Sequence, residues 1–365
     1  MRTLASIKRI GKLHPIEGKD RIVLAEVDGW TVIVQKSDYN EGDLCVYVEI
    51  DSVLPEKPEF EFLRSKDFRI RTMRMAGCIS QGICFPLSIL PAGKTYNEGD
   101  DVTEILGVKK WERKDATDVD ESAPEKSATR AKYPKWLMRC KWFRQLVYRR
   151  GDHRGSKAFP DFISKTDETR IQNAPFYLDS DDQWTVTEKI DGQSGTFALV
   201  RRKRLFRTTY EYIVCSRNLR LFKKDGSSYW AVSDRYEIEQ KLRAFLDENP
   251  DLEWVAIQGE CISPKVQGNK YKVDAPDLFV FNFILPSGRL PSVMASDIVI
   301  NDMEMKFVPI LGTQALPKTV PEMLELAHGN SALGHTIREG VVCRSLDGKK
   351  SFKAVDPLFL IKYNE

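Results

Sequence analysis

Lys189 stands in the tetrapeptide Lys189-Ile190-Asp191-Gly192. A lysine amine is mostly protonated at neutral pH and attacks poorly. Burial, a nearby cation or a metal-bound phosphate lowers its pKa and turns it into a nucleophile. The β-rich run Trp184-Thr185-Val186-Thr187-Glu188 precedes the tetrapeptide and the stretch 195–200 follows it, so the four residues join two strands. Asp191, two residues on, points to the same side as Lys189 and can anchor metal-bound water. Gly192 lets the backbone come close to a ribose or a phosphate. A lysine in such a shell can take a nucleotide from a triphosphate. Alone, the pattern K-x-D-G is weak, because most chance matches are surface turns.

Further chemistry-bearing residues follow in order: Ser216-Arg217-Asn218, then Gly259-Glu260 after the apolar Val255-Ala256-Ile257. Next come the aromatic run Leu278-Phe279-Val280-Phe281-Asn282-Phe283, then Glu339-Gly340-Val341-Val342, and finally Ser351-Phe352-Lys353-Ala354. Singly, each has a bland reading. Glu260 and Glu339 can be strand-end carboxylates. Phe281 can be core, because 279 and 283 share its face of a strand. Arg217 can pair with any surface acid. Only the ordered set is specific.

The elements that must position these residues form an α+β chain. Residues 1–107 read as all-β. Asp28-Gly29 between Val23-Leu24-Ala25-Glu26-Val27 and Trp30-Thr31-Val32-Ile33-Val34 predicts a type I′ hairpin, and Leu44-Cys45-Val46-Tyr47-Val48 another strand. Several short strands with Gly/Pro turns suggest a small barrel of the OB type. Arg69-Ile70-Arg71-Thr72-Met73-Arg74 alternates arginine with apolar residues at strand period. It reads either as a cationic face that follows a phosphate backbone or as a solvated strand face.

Residues 108–157 change character. The stretch 115–130 has linker composition. The run 133–150 interleaves basic and aromatic residues, with Trp136, Cys140, Phe143 and Val147 at helical spacing. It fits a strand-tracking and base-stacking helix, an amphipathic helix docked on a domain, or, more weakly, a membrane-surface helix. Residues 158–365 form a second domain of strands with a few helices, the clearest over 235–246 (Ile238, Leu242 and Phe245 on one face) and a shorter one over 321–327.

The 365-residue length predicts two or three domains, and 42% apolar content supports a proper core. A net charge of +3 gives no global nucleic-acid signature. The seven cysteines form no C-x-x-C pair, and no secretory leader or membrane-length apolar run stands out. These features predict a cytoplasmic monomer with reduced thiols and no membrane association. Four histidines without ligand spacing argue against a transition-metal site.

The ordered motifs resemble those of the covalent nucleotidyltransferase superfamily of ATP-dependent ligases and capping enzymes, over the whole second domain. Within it the chain is similar to RNA ligases with an N-terminal OB module. Gln193-Ser194 replaces the arginine that DNA ligases carry after the motif glycine. The chain ends twelve residues past Lys353, which is expected to leave no room for a C-terminal OB module. The segment 159–173 resembles the entry segment of RNA ligases of this class.

The resemblance implies roles. Lys189 attacks the α-phosphate of ATP and forms lysine–AMP. Glu188 reads the adenine amino group, Gly192 admits the nucleotide, and Phe281 stacks on adenine. Asp191, Glu260 and Glu339 hold Mg²⁺ or Mn²⁺ through water, and also the ribose. Arg217 contacts phosphate or ribose, and Lys353 neutralises the α-phosphate. The implied partner is RNA with 3′-OH and 5′-phosphate ends, including a nicked duplex. The family's last motif often reads K-x-K, but Ser351 and Val355 stand two residues before and after Lys353, so the second lysine is expected from Lys350, Lys349 or Lys362, or is missing. Asn282 stands where an acid is common. The alternatives are a DNA ligase, a capping-type transferase, or a non-catalytic RNA-binding protein with a degenerate ligase domain.

Overall fold

The computed structural model describes residues 3–111, 158–204, 207–222 and 227–364. The predicted linker 115–130 and the basic-aromatic helix over 133–150 lie outside the described residues.

The N-terminal body is built from β1 (Ala5–Ile16), β2 (Lys19–Val27), β3 (Trp30–Gln35), β4 (Leu44–Val48), β5 (Ser52–Val53), β6 (Arg69–Ile70), β7 (Thr72–Met75), β8 (Cys78–Gln81), β9 (Ile83–Phe85), α1 (Thr103–Leu106) and β10 (Lys109–Lys110). Its main sheet runs β3-β2-β1-β4-β9, with β10-β5-β6 and the hairpin β7-β8 beside it. This is the expected OB-type barrel. Along β3, Trp30, Val32 and Val34 are buried while Thr31 and Ile33 are half-buried, the period-two signature of a strand with one face on a core.

The hairpin at Asp28-Gly29 forms, with Val27 opposite Trp30. Its turn is not type I′, because Asp28 has φ 52° while Gly29 is not in the left-handed region. Gly29 serves a different need. A Cβ there would lie 2.7 Å from the Cα of Gln172, so the turn packs directly on the second body.

The arginine stretch also departs from expectation. The chain breaks between β6 and β7, so 69–74 is not one strand with one face. Arg69 is buried, with its guanidinium 3.2 Å from the Trp111 ring centre. Arg71 donates to Asn364 Oδ1 at 2.6 Å, and Arg74 alone is exposed.

The second body holds β11 (Gln183–Lys189), β12 (Gln193–Arg204), β13 (Arg207–Cys215), β14 (Arg220–Leu221), α2 (Ser228–Arg235), α3 (Ile238–Glu248), β15 (Trp254–Ile262), β16 (Asp277–Leu285), β17 (Gly288–Arg289), α4 (Ser292–Asp297), β18 (Lys306–Phe307), β19 (Ile310–Ala315), α5 (Val320–Ala327), β20 (Gly340–Ser345), β21 (Ser351–Val355) and α6 (Pro357–Tyr363). They form two sheets. One runs β19-β11-β20-β21. The other runs β14-β13-β12-β15-β16-β17, with β18 parallel to β16. The chain passes from the first sheet to the second at Lys189-Ile190-Asp191-Gly192, so the tetrapeptide sits where the two sheets meet.

The helix predicted over 235–246 is two helices. Glu237, at φ 50°, separates α2 from α3, and Ile238, Leu242 and Leu246 form the buried face. Phe245 packs edge-on against Phe283, centroids 4.9 Å apart. The shorter helix is α5, started by a capping box in which Thr319 accepts from the Glu322 N–H. No described helix is long and apolar enough to cross a membrane.

The two bodies share packing. Val355 and Leu360 join the N-terminal core. Trp30 Nε1 donates to Asn173 Oδ1 at 2.8 Å, Asn173 Nδ2 donates to Glu49 Oε1 at 2.8 Å, and Arg170 pairs with Asp51 at 2.9 Å.

Candidate active site

Lys189 is the last residue of β11 and lies opposite Gly340, the first residue of β20. This register sets the preceding Glu339 beside it, with Lys189 Nζ 2.5 Å from Glu339 Oε2. On the other sheet, Ser194 of β12 lies opposite Glu260 of β15, and its hydroxyl donates to Glu260 Oε2 at 3.1 Å. Gly192 is a steric requirement: a Cβ there would lie 2.5 Å from the Cys261 carbonyl oxygen and 2.9 Å from Glu260 Cγ. Burial pushes Glu260 up to about 7; Lys189 opposes that rise and Glu339 adds to it. Burial alone would lower the Lys189 pKa, but the negative field of Glu339, Glu260 and Asp191 raises it. Without a further cation, this end of the site therefore holds its lysine as an ammonium.

Asp191 is buried and ion-paired to Lys270, which sequence reasoning missed. The Lys270 ammonium lies 5.0 Å and 4.6 Å from the ring centres of Phe359 and Tyr363 on α6. The Asp191 N–H donates to the Tyr271 hydroxyl at 2.9 Å, and Gln267 Nε2 donates to the Gly192 carbonyl at 2.6 Å. The loop after β15 thus clamps the turn from one side, and no spacing in the sequence signals it. Glu188 is buried, and its carboxylate accepts from the Ser331 hydroxyl at 2.5 Å and the Ala332 N–H at 2.8 Å.

Glu188, Lys189, Asp191, Gly192, Glu260 and Glu339 line one cavity of about 380 Å³, the scale of a small-ligand site. Phe281 lines it because of a β-bulge. Gln258 pairs with Asn282 and Gly259 with Val280, which leaves Phe281 as the extra residue. Its neighbours 279 and 283 stay in the core. Asn282 is buried and donates to Gln258 Oε1 at 2.8 Å.

The other end of the cavity is cationic. Lys353 of β21 and Arg217, just after β13, converge on Asp167 at 3.2 Å and 3.1 Å. Lys110 of β10, from the N-terminal body, reaches the same carboxylate at 3.6 Å. Burial alone would raise the Asp167 pKa, but the fields of Lys353, Arg217 and Lys110 hold it well below the usual carboxylate range. Lys350 does not line the cavity, nor do Lys349 and Lys362. Lys350 is exposed in the turn before β21, with its N–H on Ser345 Oγ at 2.9 Å. The additional lysine on this wall is Lys110, hidden in sequence by its distance from Lys353.

Among the described residues no group of three or more His, Cys, Asp or Glu forms a direct ligand set. Glu260 and Glu339, crowded and partly uncompensated, fit a hard cation that keeps its waters, and Asp191 stands nearby with Lys270 on it.

Comparison with known proteins gives the site a context. An OB-fold domain model matches residues 4–87, and an RNA ligase model matches residues 182–363. The chain is similar to solved structures of Naegleria gruberi RNA ligase. One, with PPi, superposes with a TM-score of 0.81 at 31% identity, covering 100% of this chain and 99% of that one. A mutant with ATP and Mn gives 0.80 at 30% identity, with 100% of each chain covered. A mutant with AMP and Mn gives 0.80 at 31% identity, with 98% of each covered. Among curated proteins no match is found.

Proposed function

The chain belongs to the RNA ligase family, and we propose that it joins RNA 3′-OH and 5′-phosphate ends with ATP, through lysine–AMP and an adenylylated RNA 5′ end. The observation that carries this reading is the charge pattern of one cavity: a lysine among carboxylates, three cations gathered on one further carboxylate, and Phe281 among the lining residues. The Naegleria relative's structures with ATP, AMP and PPi support the same donor and leaving group.

In this reading Lys189 attacks the α-phosphate in line with the departing pyrophosphate. Lys353 offsets charge on the α-phosphate as it develops, and Lys110 and Arg217 hold the outer phosphates. Phe281 stacks on adenine, and Gly192 gives the ribose room. Glu188 would read an adenine amino group with the acceptor capacity left on its two oxygens, each of which takes one of these hydrogen bonds from Ser331 and Ala332. Lys270, Tyr271 and Gln267 fix the turn that carries Asp191. Glu260 and Glu339 would hold Mg²⁺ or Mn²⁺ through water, with Asp191 beside them. Bound there, the ion supplies positive charge that favours the neutral amine and stabilises the transferring phosphoryl group. AMP then passes to the RNA 5′-phosphate, and the 3′-OH displaces it.

The test is sealing of nicked duplexes that carry RNA or DNA on each side of the nick, with ATP or GTP. Joining with ATP that requires RNA at the 3′-OH side supports the reading. Joining of DNA nicks alone, or transfer from GTP only, overturns it.

A further inference from the structure

We infer that Asp167 is a built-in competitor for phosphate: its carboxylate occupies the seat made by Lys110, Arg217 and Lys353, and phosphates enter by displacing it. The inference rests on the proposed function, in which those cations bind phosphate, and adds to it a residue with no role in that chemistry.

Three observations carry it. The three cations come from separate places in the fold: β10 of the N-terminal body, the segment after β13, and β21. They meet on this one carboxylate, with Lys353 and Arg217 sharing Oδ1 and Lys110 on Oδ2. A carboxylate held by three cations reproduces the contacts that a phosphate oxygen pair would make there. The second observation is that the backbone beside Asp167 is pinned. Glu168 is held by Arg289 at 3.1 Å and by the Ser351 hydroxyl at 2.5 Å. The Thr169 carbonyl accepts from the Lys353 N–H at 2.8 Å. Displacement is therefore a side-chain rotation, with no rearrangement of the segment. The third is exposure: Asp167 is 38% exposed, so its carboxylate can turn into water when it leaves the seat. The alternative is an organising role, in which Asp167 keeps the cations convergent and stays in place when phosphates bind. The two roles predict opposite signs.

The experiment measures pyrophosphate affinity by calorimetric titration in a Lys189→Ala background, which prevents any transfer of AMP. Asp167→Asn and Asp167→Ala are each compared with that background, and thermal melts confirm folding. Competition predicts that both substitutions tighten pyrophosphate binding by about three- to tenfold, the scale of exchanging a few partly exposed ion pairs, with the gain shrinking as salt rises. Unchanged or weaker binding in the folded variants overturns the competitor role and leaves the phosphate seat standing. A background protein that binds no pyrophosphate overturns both the seat and the inference.

Discussion

The two ends of the cavity differ in charge, in construction and in how they hold themselves ready. At the Lys189 end, adjacent strands of two sheets bring Glu260, Glu339 and Asp191 around one amine, and the surplus is negative. At the Asp167 end, cations from three distant segments surround one carboxylate, and the surplus is positive. In the proposed reaction a nucleoside triphosphate would bridge such a cavity, with a hydrated cation at the negative end and the phosphates at the positive end. On that proposal the contrast also separates tasks, the first end governing attack by Lys189 and the second the hold on the leaving group.

Substitutions can break this contrast. The largest effects belong to the Lys189 end. Lys189→Ala should abolish self-adenylylation with ATP, and Glu339→Ala or Glu260→Ala should lower its rate by about 10²- to 10³-fold, as loss of one preorganised electrostatic group does. Single-turnover labelling at saturating ATP checks both. At the other end, Lys110→Ala should act mainly on binding. It should raise the KM for ATP by about tenfold, the scale of one hydrogen bond to a charged group, with a smaller change in kcat. A collapse of kcat with unchanged KM would show that Lys110 belongs to the chemistry rather than to the phosphate hold. Phe281→Leu keeps apolar bulk but removes the stacking face, and should raise the ATP KM by about fivefold.

Two smaller effects sharpen the electrostatic side. With Glu260 pushed up to about 7 in the metal-free site, the Mg²⁺ concentration that gives half-maximal self-adenylylation should rise as pH drops below that value, because proton and cation compete for the carboxylate. A Mg²⁺ requirement that stays constant between pH 8 and pH 5 would contradict the burial effect. The same shift has a stability consequence. A raised carboxyl pKa means that the folded state holds a proton which the unfolded chain, with its pKa at about 4.3, has released. Stability is therefore lost as pH rises from about 4.3 to about 7, and the full penalty stands at pH 8. Glu260→Gln, assayed without divalent cations, should then melt a few degrees higher at pH 8 and show almost no gain at pH 4.

The legibility of the molecule follows the same division. Lys189, Asp191, Glu260 and Glu339 are readable because each belongs to a short local pattern on or beside a strand, and neighbouring strands do the assembly. The OB-type barrel was equally readable from alternating strands and short turns. Phe281 lines the cavity, but only a bulge separates it from Phe279 and Phe283, and nothing in the alternation marks that bulge. Lys270 and Lys110 were invisible for another reason. Their partners, Asp191 and Asp167, are far away in sequence, so only tertiary packing puts charge against charge. Lys350 shows the opposite case, because closeness in sequence to Lys353 does not by itself bring a lysine to the cavity wall. The broken helix at Glu237 shows the limit of periodicity, which reports the buried face and not a single left-handed residue within the pattern.

The proposed reaction stands or falls on Lys189 carrying the nucleotide. Intact mass followed by peptide mapping, after incubation of the protein with ATP and Mg²⁺, tests this. One AMP per chain is expected, on the peptide containing Lys189, lost in Lys189→Ala and removed from the wild-type protein by pyrophosphate. AMP on any other residue, or a folded wild-type protein that binds ATP yet never gains the adduct, would contradict it.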